Sequence, residues 1–184
     1  MPRGRETQLP PPGLVHYYYG DGKGKTSAAA GLALRLLASG RRVLILQFLK
    51  DGHSGEMRLL AAMEGAEVRA GLIGRGFSWT LSESEKEQTR QLHDDAIHRA
   101  AADLKAAQFD ALILDEVGTA LDLGLLDREG LLRLIDSRPK NCELILTGHQ
   151  ADPDLAERAD YLSRIVCEKH PWQQGITARE GIEY

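Results

Sequence analysis

The residues best able to do chemistry lie in one run, Tyr18-Tyr19-Gly20-Asp21-Gly22-Lys23-Gly24-Lys25-Thr26-Ser27, which follows an apolar segment and opens an Ala/Leu-rich one. A strand that ends in a Gly-rich turn and re-enters a helix aims several backbone N–H groups, and the positive end of the helix dipole, at one spot. An oligophosphate is the natural occupant. Glycine lets the backbone turn sharply and approach such a ligand with no Cβ in the way. Lys25 adds a mobile charge for the phosphates and Thr26 a hydroxyl for Mg²⁺. The pattern is a variant of the P-loop, because Tyr19 stands at the first glycine position while Gly20 and Gly22 fall inside the loop.

A second chemical feature is the apolar run ending in Asp115-Glu116. A carboxylate at a buried strand end holds Mg²⁺ directly or through water in nucleotide sites. Alone it is a weak signal, but with the glycine loop upstream the two halves of a Mg-nucleotide site are present. They do not define a reaction, since kinases, ATPases and switches share them. Phe77 and Trp79 sit in a glycine-rich stretch, and exposing both rings would be costly. They either face a large flat apolar partner or fill a small core beneath a loop.

The elements that must position these groups read as alternating strands and helices. Leu14 to Tyr19 is β-favouring. The helix from Lys25 to Ala38 is small and apolar almost all round, which predicts burial on more than one face. Arg42 to Phe48 has the continuous apolar character of a doubly covered parallel strand. A short helix from Glu56 to Met63 and a strand from Ala66 to Ala70 follow. Ser82 and Glu85 have capping-box spacing and begin the longest helix, with Leu92, Ala96, Ala100 and Leu104 on its apolar stripe. After the strand Asp110 to Glu116, Asp127 caps a helix, Glu143 to Thr147 is a fifth strand, Asp152 caps a short helix with Pro153 at its first position, and Tyr161 to Cys167 is a sixth strand. The pattern predicts an α/β fold with a mainly parallel sheet of about six strands and helices on both faces. Ligands in such sheets bind beyond the carboxyl ends of the strands.

At 184 residues, 42% hydrophobic and 27% charged, the chain suits one soluble domain. We read residues 1–13 as a flexible N-terminal arm and residues 14–184 as the single domain. A net charge of −4, with no lysine/arginine block, argues against nucleic acid as the main partner, and no apolar run is long enough for a membrane span. Cys142 and Cys167 lack ligand-spaced neighbours and read as reduced core thiols of a cytoplasmic protein.

Gly20 through Ala29, Val43 to Lys50, Gly76-Phe77-Ser78-Trp79, Leu114-Asp115-Glu116, Arg138-Pro139, Thr147-Gly148, Lys169-His170-Pro171, and Gly175-Ile176 with Gly181-Ile182-Glu183-Tyr184 occur in one order and spacing. From about Tyr17 to the last residue the chain resembles the P-loop-type ATP:cob(I)alamin (corrinoid) adenosyltransferases. That resemblance implies a RecA-like fold, usually dimeric. It implies transfer of the 5′-deoxyadenosyl group of ATP to the Co(I) of a corrinoid, cobalamin or a precursor such as cob(I)yrinic acid a,c-diamide, with release of triphosphate, in adenosylcobalamin biosynthesis or salvage. Gly20, Asp21, Gly22, Lys23, Gly24, Lys25, Thr26 and Ser27 would hold ATP. Lys25, Thr26 and Glu116 would form the catalytic set, with Thr26 and Glu116 placing Mg²⁺. Phe77 and Trp79 would occupy the lower face of the corrin, and an electron donor would reduce Co(II) to Co(I). His149 stands where the family often has Arg, Gly118 and Thr119 follow the acid pair where many members carry Leu-Asn, and Ser27 replaces a common second Thr. The alternative reading is a RecA-like ATPase or nucleotide switch acting on a protein partner.

Overall fold

The computed structural model describes residues 12–50, 54–72 and 81–182. In chain order these form β1 (Val15–Tyr19), α1 (Lys25–Ala38), β2 (Val43–Phe48), α2 (Gly55–Ala61), β3 (Ala66–Leu72), α3 (Glu83–Lys105), β4 (Ala111–Asp115), α4 (Val117–Asp122), α5 (Arg128–Ser137), β5 (Glu143–Gly148), α6 (Pro153–Arg158) and β6 (Tyr161–Arg164), with a 3₁₀ turn at Pro171–Gln174. The strands make one six-stranded sheet in the order β3-β2-β4-β5-β1-β6, and every pairing is parallel. This is the α/β architecture that the alternating pattern predicts. The proposed arm lies largely outside the described residues, and the chain is anchored from Gly13, whose N–H donates to the Lys140 carbonyl at 2.8 Å.

The continuous apolar strands follow from a sheet covered on both faces. Leu44, Leu46, Phe48, Leu112, Leu114, Leu144 and Leu146 belong to one buried cluster with residues of α3 to α6. Val43, Ile45, Ile113 and Ile145 pack with residues of α1 and α2 on the other face. Because β5 lies between β1 and β4, the glycine loop after β1 and the acid pair after β4 flank the Thr147-Gly148 end of β5.

Helix α1 departs from the expectation of burial on several faces: Lys25, Ala29, Ala30, Ala33 and Leu36 form one buried stripe, and Leu34 is 46% exposed. Its alanines permit close approach to the sheet, and among the described residues no second layer covers the far side. In α3 the Ser82–Glu85 capping box forms as read, but Leu92 is exposed. The buried stripe runs instead through Thr89, His93, Ala96, Ile97, Ala100 and Leu104. His93 takes a core position because a ring nitrogen lies 2.7 Å from the Leu125 carbonyl and its ring meets Phe48 edge-on. Strand β6 is shorter than the apolar run and exposed along its length. Cys142 is buried, whereas Cys167 stands outside the core, correcting its reading as a core thiol. Helix α4, directly after the acid pair, is too short for a periodic signal in the sequence.

The cap of α6 gives a test of the fold's electrostatics. Asp152 accepts the N–H groups of Asp154 and Leu155 and pairs with Arg128 at 2.8 Å. Burial alone would raise its carboxyl, but Arg128 and the cap N–H groups outweigh it and hold the group below the usual carboxylate value. A depressed carboxylate contributes stability above its unfolded pKa, and that contribution disappears as pH falls through the folded value. Arg128→Ala should therefore cost roughly 1–2 kcal/mol near neutral pH, a difference that shrinks on acidification. Urea unfolding of both proteins at neutral and acid pH checks this.

Candidate functional site

Tyr19 ends β1, and the loop that follows is held by backbone contacts. Gly20 N–H donates to the His149 carbonyl at 3.1 Å and Gly22 N–H to the Ile165 carbonyl at 2.9 Å. A Cβ on Gly20 would lie 2.2 Å from the Ile165 oxygen, and one on Gly22 2.8 Å from the Val166 carbonyl carbon. These two glycines are thus required by the segment after β6 pressing on the loop. Gly24, at φ 121° with open space around its Cβ position, is needed for its backbone conformation at the entry to α1. Asp21 tethers the same segment through the Cys167 N–H at 3.3 Å. Lys23 and Ser27 are exposed.

Lys25 is buried beneath the loop, and its Nζ donates to the carbonyls of Gly20 and Gly22 at 2.6 and 2.9 Å. The lysine holds the loop closed around its own charge, and an oligophosphate would compete with those carbonyls for it. Next in the chain, Thr26 Oγ1 donates to Asp115 Oδ1 at 2.9 Å. The structure thus joins the loop to the first acid of the pair.

Asp115 is fully buried, and among the described residues side chains from four other positions converge on it. Thr26 and Thr147 hydroxyls donate to Oδ1, both at 2.9 Å. Gln47 Nε2 and Lys50 Nζ donate to Oδ2, both at 3.0 Å. Thr147 Oγ1 also accepts the Glu116 N–H at 2.7 Å, locking the end of β4 to the end of β5. Such a buried carboxylate is tolerable because its lone pairs are met and Lys50 balances its charge.

Glu116 turns away from this node. Its backbone adopts φ 62°, a strained region for a residue with a Cβ, and begins α4. Its Oε2 accepts the Thr119 hydroxyl at 2.7 Å, while Oε1 lies 3.8 Å from Lys50 Nζ. Thr119 Oγ1 in turn accepts the His149 N–H at 3.1 Å. Leu49, at φ 57°, similarly strains the exit of β2 just before Lys50. The two bends bring Lys50 and Glu116 toward the same opening.

Gly118 permits α4 to meet β5: its added Cβ would be 2.7 Å from the Tyr17 hydroxyl and 3.2 Å from Gly148 Cα. Tyr17 donates to the Gln150 carbonyl at 2.5 Å, and burial pushes its pKa up to about 12, so it remains a proton donor at the β5 exit. Nearby, burial and then Asp152 push the Asp122 carboxyl up, opposed by Arg128 and His149. His149 is exposed, at the position where the family often has Arg.

The oxygen set suits Mg²⁺. Thr26 Oγ1, Asp115 Oδ2 and Glu116 Oε1 already surround one positive charge, the Lys50 ammonium, at 3.0, 3.0 and 3.8 Å. Hard oxygen donors, few in number and open on one side, are what a cation that keeps water and phosphate ligands requires. Phe77 and Trp79 lie outside the described residues. Sequence reasoning gave no role to Gln47, Lys50, Thr119 or Thr147. Gln47 could have been found as the polar residue within an apolar strand, and Lys50 and Thr147 as polar positions at the carboxyl ends of strands.

A family model described as ATP:corrinoid adenosyltransferase BtuR/CobO/CobP matches residues 12–184. The chain belongs to this family. The corrinoid adenosyltransferase of Pseudomonas aeruginosa is 31% identical over 173 residues, covering 94% of this chain and 84% of its own. That of Escherichia coli K12 is 31% identical over 174 residues, covering 94% and 86%. The corrinoid adenosyltransferase CobA of Salmonella typhimurium is 28% identical over 173 residues, with 94% and 86% covered. Membership in the ATP:corrinoid adenosyltransferase family decides the reaction class in favour of adenosyl transfer in the cobalamin pathway over the ATPase or nucleotide switch. The RecA-like sheet order agrees with that assignment.

Proposed function

We propose that this enzyme transfers the 5′-deoxyadenosyl group of ATP to the Co(I) centre of a corrinoid, with cob(I)alamin as an acceptor and intact triphosphate as the leaving group. The observation that carries the reading is the family match across residues 12–184 together with the Lys25–Thr26–Asp115 arrangement at the strand ends. Co(I) is itself the nucleophile: its electron pair forms the Co–C5′ bond as the C5′–O bond breaks and those electrons leave on triphosphate. The protein therefore needs no base. It must align the two partners and stabilise charge on the departing group.

In this reading Gly20 through Ser27 cradle the triphosphate. Lys25 exchanges the Gly20 and Gly22 carbonyls for phosphate oxygens, and Thr26 and Glu116, beside Asp115, hold Mg²⁺. When bound, that ion would neutralise triphosphate oxygens and so favour their departure. Asp115 orients Thr26, while Thr147 and Thr119 fix the acid pair and the β5 exit. Phe77 and Trp79 cover the lower corrin face and keep water and a lower ligand from cobalt, which eases reduction of Co(II) by a separate electron donor.

We further propose a homodimer in the cytoplasm. The exposed β6 edge supports the first, with Tyr161 and Leu162 about half exposed and Val166, Trp172, Ile176 and Ile182 uncovered after it. A monomer by sedimentation velocity would refute it. The two free thiols support the second.

Anaerobic incubation with ATP, Mg²⁺ and chemically reduced cobalamin should develop the spectrum of a Co–C bond, and no such spectrum with any reduced corrinoid would sink the assignment. Trp79→Ala should leave ATP affinity and transfer to prereduced cobalt nearly unchanged. Starting from Co(II), it should slow turnover by about tenfold or more. Equal losses from both starting states would remove the proposed role of the ring.

A further inference from the structure

We infer that Lys50 is a built-in occupant of the cation seat, which keeps free divalent ions out until a triphosphate arrives. This rests on the reading of Thr26 and Glu116, beside Asp115, as the Mg²⁺ site. The Lys50 ammonium lies 3.0 Å from Thr26 Oγ1, 3.0 Å from Asp115 Oδ2 and 3.8 Å from Glu116 Oε1. Those oxygens come from the first turn of α1, the end of β4 and the entry to α4. Mg²⁺ binds oxygen at about 2.0–2.1 Å, so it and the ammonium cannot share this space.

The two cations differ in what each can do next. Lys50 sits on the chain just beyond the strained Leu49 bend, with its side chain 35% exposed on the open side of the site. It can swing outward while its main chain stays in place. Without nucleotide, leaving would strip the buried Asp115 of its balancing charge. A triphosphate supplies an anion for the ammonium and phosphate ligands for the metal together. Exchange then becomes favourable as a pair of moves: Lys50 to phosphate, metal to the three oxygens. Lys50 is thereby a positioning residue that makes metal binding conditional on nucleotide, and it keeps Thr26 and Asp115 arranged in the meantime.

The test is titration of the full-length, nucleotide-free protein with Mn²⁺, followed by the electron paramagnetic resonance of the free ion. Wild type should bind Mn²⁺ weakly, and Lys50→Met should bind it about tenfold or more tightly, because a like charge leaves a poorly screened site. The same variant should melt lower than wild type in chelator and recover with Mg²⁺, whereas wild type should not respond. A merely structural lysine would give the loss of stability without the gain in metal affinity. Lys50→Gln, which keeps a donor for Asp115 but removes the charge, gives the same reading should Lys50→Met fold poorly.

Unchanged Mn²⁺ affinity in both variants overturns the inference. Glu116→Gln in the presence of ATP separates this from failure of the site itself. If that substitution weakens Mn²⁺ in the ternary complex while the Lys50 variants gain nothing, only the role of Lys50 falls. If Glu116→Gln leaves Mn²⁺ binding with ATP untouched, the placement of the metal falls and the inference with it.

Discussion

Lys25→Ala is expected to lower the rate of adenosyl transfer by about 10²–10³-fold or more, the scale of losing a preorganised group that stabilises developing charge. The buried Nζ already lies within 2.6–2.9 Å of two loop carbonyls, so in the complex it needs only a short movement to reach a phosphate. Triphosphate gains charge as C5′ departs, and this lysine would act on that gain. Its removal should leave the sheet intact, because its side-chain hydrogen bonds go to the loop carbonyls of Gly20 and Gly22. The variant should retain a near-wild-type melting temperature while ATP affinity and single-turnover rate both fall. A variant with the wild-type single-turnover rate would mean that the triphosphate is held elsewhere.

Asp115→Ala should have the second large effect, and on stability as well as activity. The carboxylate accepts from Thr26, Thr147, Gln47 and Lys50, and its deletion leaves those donors facing a cavity. Breaking a buried charge pair costs about 3–5 kcal/mol; Lys50 can turn to solvent, which places this case toward the lower end. Asp115→Asn should cost less. Its amide oxygen can still take the two threonine hydroxyls, and Gln47 Oε1, buried without a partner among the described residues, can receive the new N–H after an amide flip. Lys50 then loses one acceptor and keeps Thr26 Oγ1 and Glu116. Denaturant unfolding should rank wild type above Asp115→Asn and that above Asp115→Ala, with adenosyl transfer lost in both. Equal stability of all three would show that the node does not tie the loop to the sheet.

The strands and most helices were legible because their signals are local. Continuous apolar runs marked β2, β4 and β5, and Ser82, Asp127 and Asp152 marked helix starts by side chains that do cap them. The misreadings concern what lies opposite an element. Leu92 fits a helical stripe as well as His93 does, and only the Leu125 carbonyl and the Phe48 ring make the histidine the buried residue. The site shows the same limit. The glycine loop and the acid pair announce themselves by composition, but the reason for Gly20 and Gly22 is Ile165 and Val166, far along the chain. That Thr26 meets Asp115, with Glu116 turned outward to Thr119, follows from the left-handed turn at Glu116 and from β5 lying between β1 and β4.

The central claim is that the triphosphate leaves intact while its former C5′ partner joins cobalt. Phosphorus NMR of an anaerobic reaction with ATP, Mg²⁺ and reduced cobalamin, run beside the absorbance of the corrinoid, tests it most directly. One triphosphate for each Co–C bond formed is the predicted result. ADP and orthophosphate, with no adenosylated corrinoid, would contradict it.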